Sequence, residues 1–306
     1  MKKKIVIFGC QGIAIDIIRF LNRRNDIELS LVVTYEIIAD LIRGQRSVIE
    51  FSKKLKLKTL NPKKIDNELI EIIKKIKPDL IISCYYRKIF PKNLIKLPKQ
   101  GIINIHPSLL PEFRGPVPTA WAIYNDKKET GVTIHNVDGG IDTGDVLVQS
   151  KIRIRNNETG YQLYRRAMKE GYNLFRRNFN KILNSKIKPK PQKSGGSYYG
   201  KLNISSRIDW KSNAITIKNL IRIYAQPFLP AVTRIENKYL FINKCSVYKN
   251  KKLIVQAPGK IIKIYNLKKI LVSCSDGAVI IEDFHFYPPL NKIEEKYLLR
   301  VGALFF

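Results

Sequence analysis

Asn104 and His106, two residues apart in Ile-Ile-Asn-Ile-His-Pro, are the first side chains in this chain whose types and spacing could do chemistry. In an extended strand residues i and i+2 share a face, so the amide and the imidazole reach the same space. Pro107 has no N–H to continue a ladder, so the chain leaves the sheet there and exposes the imidazole at a strand's carboxyl end. Further on, Asp-Gly-Gly-Ile-Asp-Thr-Gly-Asp places Asp138, Asp142 and Asp145 in a loop loosened by Gly139, Gly140 and Gly144. A carboxylate on such a loop can fold back over His106. Taken singly, a strand-end histidine is more often a satisfied structural residue, and Gly/Asp loops are usually turns. In this order, an amide donor, a titratable imidazole and an orienting carboxylate suit acyl transfer, in which an oxyanion is stabilised while an amine loses a proton. A carboxylate that stabilises the imidazolium should raise His106 above the usual value of about 6.5.

The elements that must hold these groups read as alternating strands and helices. Lys-Ile-Val-Ile-Phe-Gly is a strand, and Ile13, Ile17, Ile18 and Leu21 recur at helical spacing behind it. Leu-Ser-Leu-Val-Val-Thr is a second strand; Ile65, Leu69, Ile72, Ile73 and Ile76 mark a helix ended by Lys77-Pro78-Asp79; and Leu-Ile-Ile-Ser-Cys-Tyr-Tyr is a third strand. Gly-Ile-Ile-Asn-Ile-His and Thr-Gly-Val-Thr-Ile-His-Asn-Val follow as the fourth and fifth. This alternation predicts an α/β fold with a doubly wound, mostly parallel sheet. Gly9-x-x-Gly12 is an incomplete dinucleotide fingerprint, because Ala14 stands where a third glycine is needed, so it reads as a tight turn lining a site. Residues 184–206, rich in Lys, Pro, Ser and Gly, read as a linker between residues 1–183 and residues 207–306. The last part, one helix and short β runs divided by turns, predicts a small β-barrel.

Length and composition bound the rest. A chain of 306 residues has room for one large domain and a smaller one, and 44% hydrophobic with 26% charged residues is ordinary for a globular protein. No apolar run approaches the roughly 18 residues of a membrane span, and the N-terminus turns glycine-rich too soon for a signal peptide, so a cytoplasmic protein without a membrane partner is expected. Cys10, Cys84, Cys245 and Cys274 lie far apart, which supports neither disulfides nor a metal site, and no metal is expected. The net charge of +31 is spread along the whole chain with abundant Ile and Asn, as an AT-rich coding background would produce. It points to an anionic partner of unspecified kind.

The stretch Ile-Asn-Ile-His-Pro-Ser-Leu-Leu-Pro-Glu-Phe-Arg-Gly, continuing to Gly-Ile-Asp-Thr-Gly-Asp-Val-Leu, resembles the signature of the 10-formyltetrahydrofolate-dependent formyltransferases. The likeness runs on through Ser-Ser-Arg-Ile-Asp-Trp and Arg-Ile-Tyr-Ala-Gln-Pro-Phe-Leu-Pro-Ala. It implies a Rossmann-like catalytic domain, an OB-like C-terminal barrel and 10-formyltetrahydrofolate as cosubstrate, with Asn104, His106 and Asp142 catalytic. The folate would lie against Tyr86, Arg87, Ile89, Val137, Asp138, Gly139 and Ile141. Arg114, Arg222, Tyr224 and Phe228 would meet the acceptor, although an interdomain contact explains the last three equally well. Two-domain members of this kind formylate either methionyl-tRNA or UDP-aminoarabinose. The expected tRNA-type Gly-Thr-Pro turn is here Phe-Gly-Cys-Gln-Gly, and the segment that would reach an acceptor stem has only Arg43 and Arg46 basic in its middle. Tyr-Tyr-Arg at residues 85–87 is similar to the aminoarabinose type, although Lys201 replaces the arginine of a second motif. The expected acceptor is therefore a nucleotide-linked amino sugar destined for cell-surface polysaccharide such as lipopolysaccharide, with initiator tRNA second and a homodimer left open.

Overall fold

The computed structural model describes residues 1–35, 46–249, 256–266 and 268–306. Arg43, in the segment of the weakly basic expectation above, lies outside the described residues. The strands of the first sheet are β1 (Lys3–Gly9), β2 (Ile27–Val33), β3 (Thr59–Leu60), β4 (Leu80–Cys84), β5 (Ile102–His106), β6 (Glu129–Asn136) and β7 (Val146–Arg153). Among the described residues these seven lie in the order β3-β2-β1-β4-β5-β6-β7. β1 to β5 pair in parallel, as their apolar runs predict: Ile5, Val6, Ile7 and Phe8 are all fully buried, the mark of a strand covered on both faces. β6 is the reversed strand of this mostly parallel sheet, pairing antiparallel with β5 on one side and with β7 on the other. The register sets His106 opposite Thr133 and Asn104 opposite His135.

The helices are α1 (Gln11–Asn22), α2 (Val48–Lys54), α3 (Asn67–Ile76), α4 (Lys92–Ile95), α5 (Pro118–Tyr124), α6 (Gly160–Leu183), α7 (Ala214–Tyr224) and α8 (Lys292–Leu298). α3 starts where Asp66 accepts the N–H of Leu69 at 3.1 Å and stops at Lys77, whose φ of 53° lies in the left-handed region. No helix of the described residues is long and apolar enough to cross a membrane.

The chain divides into two compact units, Met1–Pro118 with Glu129–Arg153 and Arg165–Lys201, and Thr119–Lys128 with Ile154–Tyr164 and Leu202–Phe306. The expected linker, residues 184–206, falls on both sides of this division. Residues 184–201 belong to the first unit, where Lys190 and Val146 exchange both backbone hydrogen bonds at 2.8 and 2.9 Å. A stretch of Lys, Pro, Ser and Gly buries little side chain, but its backbone can still pair.

In the second unit, β8 (Ala231–Ile235), β9 (Lys238–Val247), β10 (Ile261–Asn266), β11 (Lys269–Cys274) and β12 (Gly277–Tyr287) form an antiparallel sheet in the order β10-β11-β12-β9-β8. The C-terminal segment bridges its two edges. Ile261 N donates to Ala303 O at 2.8 Å, and Arg234 and Phe306 exchange backbone bonds at 3.0 and 2.8 Å. Those bonds cover edges that would otherwise expose unpaired N–H and C=O groups.

Candidate active site

β5 and β6 present their polar residues to one place. Asn104 and His106 lie two apart on β5, and His135 stands opposite Asn104 on β6, so all three emerge from the same face. Beyond β6 the chain folds back: Val137 N donates to Ile102 O at 2.8 Å and Asn136 N to Asp145 O at 2.9 Å. Within this loop the Asp138 carboxylate accepts from Gly140 N at 3.0 Å and from Thr143 Oγ1 at 2.7 Å. Gly144 is required, since a Cβ there would stand 1.9 Å from Asn136 O. The loop delivers Asp142, at a φ of 53°, over the histidines.

Asp142 Oδ2 lies 3.5 Å from His106 Nδ1 and accepts from Gly115 N at 2.9 Å. Its Oδ1 lies 3.5 Å from His135 Nε2 and accepts from Asn104 Nδ2 at 3.2 Å. Burial alone would raise this carboxyl, but attraction to the imidazolium form of His106, the neighbouring His135 and the Gly115 N–H outweigh it and hold it well below the usual carboxylate range. His135 Nδ1 lies 2.8 Å from Asn136 O, and its Nε2 lies 3.2 Å from Asn104 Nδ2.

His106 is buried, and its Nε2–H donates to Phe113 O at 2.9 Å. Burial is the largest influence on its pKa and lowers it; Asp142 and Phe113 O push it up without overcoming that. This corrects the expectation of a raised value. His106 is neutral near pH 7, with the lone pair on Nδ1. If Nδ1 takes a proton, both N–H groups have acceptors already in place, Phe113 O and Asp142 Oδ2. The arrangement is a base whose protonated form is anticipated by its surroundings.

The residues expected to meet the folate fall in two segments that meet. Val137 packs on the core cluster that contains Tyr86 and Phe90, and Gly139 stands beside Lys92. Ile89 and Ile141 are exposed apolar side chains at the ends of these segments, and Arg87 is exposed with its N–H donated to Tyr35 Oη at 3.0 Å. Tyr86 is not on the surface: its ring packs edge-on to Phe8 at 5.1 Å, and its buried hydroxyl has no hydrogen-bond partner. Among the described residues no group of three or more His, Cys, Asp or Glu side chains is arranged to hold a metal ion.

The expected acceptor contacts fare differently. Arg222 gives its guanidinium to Glu158 O at 2.8 Å, Arg155 O at 2.9 Å and Asn219 Oδ1 at 2.9 Å. Tyr224 donates its hydroxyl to Ile204 O, and Phe228 packs edge-on to Tyr161 at 6.0 Å. These three make their contacts within the second unit. Arg114 stays in the first unit, its guanidinium forked onto Gln192 Oε1 at 3.1 and 2.8 Å. Two residues at or beside the site went unread in the sequence. His135 could have been found from Thr133-x-His135 facing Asn104-x-His106, had the antiparallel pairing been seen. Gln192 carried no signal, being set in a stretch that reads as linker.

A buried histidine, an amide donor and a carboxylate at the carboxyl end of β5 in a Rossmann-like sheet suit an acyl-transferring α/β enzyme. The match to known proteins narrows the acyl group. Residues 3–178 match the formyl transferase model and residues 203–287 the formyl transferase C-terminal domain model, so the chain belongs to the formyl transferase family and is a formyl-transferring enzyme. It is 37% identical over 225 residues to the methionyl-tRNA formyltransferase of Alkaliphilus oremlandii, covering 72% of this chain and 71% of that one. It is 35% identical over 238 residues to the bifunctional polymyxin resistance protein ArnA of Wigglesworthia glossinidia brevipalpis, covering 76% of this chain and 35% of that one. Among solved structures, the N-formyltransferase of Helicobacter canadensis in complex with folinic acid and dTDP-3-aminofucose superposes with a TM-score of 0.75 at 22% identity, covering 93% of this chain and 100% of that one. At that identity the likeness speaks for the fold alone.

Proposed function

We propose that the protein transfers a formyl group from 10-formyltetrahydrofolate to the amine of a nucleotide-linked amino sugar, with His106 as base and Asn104 and Asp142 beside it. The convergence of His106, Asn104 and Asp142 from β5 and the loop after β6 carries this reading. The exposed apolar side chains of Ile89 and Ile141 and the backbone of residues 137–139 suit a flat heterocycle with polar edges. Bound there, the folate supplies the formyl carbon. As the acceptor nitrogen bonds to that carbon, His106 Nδ1 takes the proton the nitrogen loses, and Asp142 Oδ2 faces the new charge. Asn104 Nδ2, engaged with Asp142 Oδ1 and His135 Nε2 in the free protein, would turn one of its two N–H groups from these partners to the negative charge developing on the formyl oxygen. The same imidazolium can return its proton to the departing folate nitrogen, which balances the step.

Two observations support a sugar acceptor. Tyr85, Tyr86 and Arg87 follow the aminoarabinose pattern, and Arg46, one of two basic residues in the middle of the segment that would meet a tRNA, is paired with Asp16 at 3.3 Å. The 37% identity to a methionyl-tRNA formyltransferase favours the second reading, initiator methionyl-tRNA as acceptor. Supplying the purified enzyme with 10-formyltetrahydrofolate and a panel of UDP-, dTDP- and GDP-linked amino sugars, or with initiator methionyl-tRNA, separates the two. The expected product is a formylated amino sugar. Formylation of the tRNA alone would replace the first reading with the second.

A further inference from the structure

The two acceptors that await a protonated His106 sit on different loops. Phe113 O belongs to the loop after β5, and Asp142 Oδ2 to the loop after β6. A third segment, residues 190–199, touches both. Lys190 pairs with Val146 at the end of the Asp142 loop. Phe113 N donates to Ser197 Oγ at 2.8 Å, Arg114 N to Ser197 O at 2.8 Å and Tyr199 N to Arg114 O at 3.0 Å, while the rings of Phe113 and Tyr199 stack at 5.3 Å. Gly196, at a φ of 88°, lets this segment approach closely, since a Cβ there would stand 2.4 Å from Pro111 O.

Between these anchors Gln192 uses its whole side-chain amide. Nε2 donates to Asp142 O at 2.8 Å and to Gly144 O at 2.8 Å, and Oε1 accepts from Arg114 Nε at 3.1 Å and Nη2 at 2.8 Å. Two donors and two lone pairs are all a glutamine amide has. Asp142 is thereby gripped at its carbonyl by Gln192 and at its carboxylate by the N–H of Gly115, the residue after Arg114. A pair of loops tied at one amide cannot drift apart independently, and misplacement by about 1 Å at a reacting centre can cost about a hundredfold in rate.

We propose that residues 190–199 form a strap that holds the two loops in register, and that Gln192 is the positioning residue that sets Asp142 against His106. The proposal rests on the reading of His106 and Asp142 as the reacting pair. Its cost in sequence is small, one glutamine in a polar stretch, which is why composition hides it.

The chain has only three histidines, His106, His135 and His285, so each can be followed by NMR of histidine-labelled protein without knowing the acceptor. His285 is exposed in the second unit and serves as reference. The titratable groups that face His106 are Asp142 from the loop and His135 from β6, and of these Asp142 raises its pKa while His135 lowers it. In Gln192→Leu the His106 titration is expected to move to lower pH, in the same direction as in Asp142→Asn, with His285 unchanged and the circular dichroism spectrum of the parent retained. With an acceptor from the panel above, kcat should fall about ten- to a hundredfold and KM for the formyl donor should change little. If Asp142→Asn moves His106 but folded Gln192→Leu leaves it in place or moves it upward, the strap has no positioning role. If Asp142→Asn itself leaves the His106 titration unmoved, the reacting pair is wrong and the proposal falls with it. Should Gln192→Leu fail to fold, Arg114→Met, which removes the fork while keeping Gln192, is read by the same criteria.

Discussion

An imidazole enclosed by protein loses the hydration that would favour its cation, so His106 titrates below the ordinary histidine value even with Asp142 Oδ2 3.5 Å from Nδ1. The sign has a consequence for stability. In the unfolded chain the same group titrates near 6.5, so below that pH the unfolded state binds the proton more readily, and stability falls as pH drops towards the folded value. Replacing His106 by Gln removes this component. The difference in urea midpoint between about pH 7.5 and about pH 5.5 is therefore expected to shrink in His106→Gln relative to the parent. An equal difference in both proteins would mean that His106 is not held neutral. Asp142→Asn acts oppositely on the chemistry: without the carboxylate the His106 pKa falls further, and turnover should drop by orders of magnitude while the fold persists, as measured by single-turnover transfer and circular dichroism.

The elements were legible to different depths. α3 shows its apolar face and its Lys77-Pro78 stop in the sequence, because each is a local effect, and the structure adds the Asp66 cap. Asp66→Ala should cost about 1 kcal/mol of stability by urea denaturation and leave turnover unchanged. β1, β2, β4 and β5 were readable as apolar runs and the two-residue β3 was not, while the pairing of β6 is decided by the connection and not by the strand's own residues. That unread pairing hid His135, which meets Asn104 only across an antiparallel ladder. The loop after β6 was legible as Gly- and Asp-rich, and its geometry gives a sharp expectation. Gly144→Ala forces a Cβ towards Asn136 O, so the loop must move, and transfer activity is expected to fall towards that of Asp142→Asn. Parent-like turnover in Gly144→Ala would show that the loop tolerates displacement.

At the scale of the whole molecule, the α/β core and the β-rich C-terminal unit followed from periodicity, whereas the division of the chain into units did not. Residues 119–128 and 154–164 join the second unit and residues 184–201 the first, through contacts remote in sequence. Arg222 illustrates the limit at the side-chain level, since a half-buried guanidinium satisfied by backbone carbonyls and one awaiting a phosphate look the same in sequence. The charge of +31 is also a property of the whole chain. If the acceptor is the proposed nucleotide sugar, which brings few phosphates, kcat/KM should decline gently with salt; an enzyme contacting six to ten phosphates would lose roughly a thousandfold or more in affinity between about 50 and 200 mM salt. The most direct test of the account is the pH dependence of kcat/KM for formyl transfer in the parent and in His106→Gln. A neutral His106 acting as base predicts a parent rate that rises with pH through the histidine limb without a histidine-dependent fall on the alkaline side, and a variant slower by orders of magnitude that lacks that limb. A variant that keeps every limb of the parent profile at a near-parent rate would contradict it.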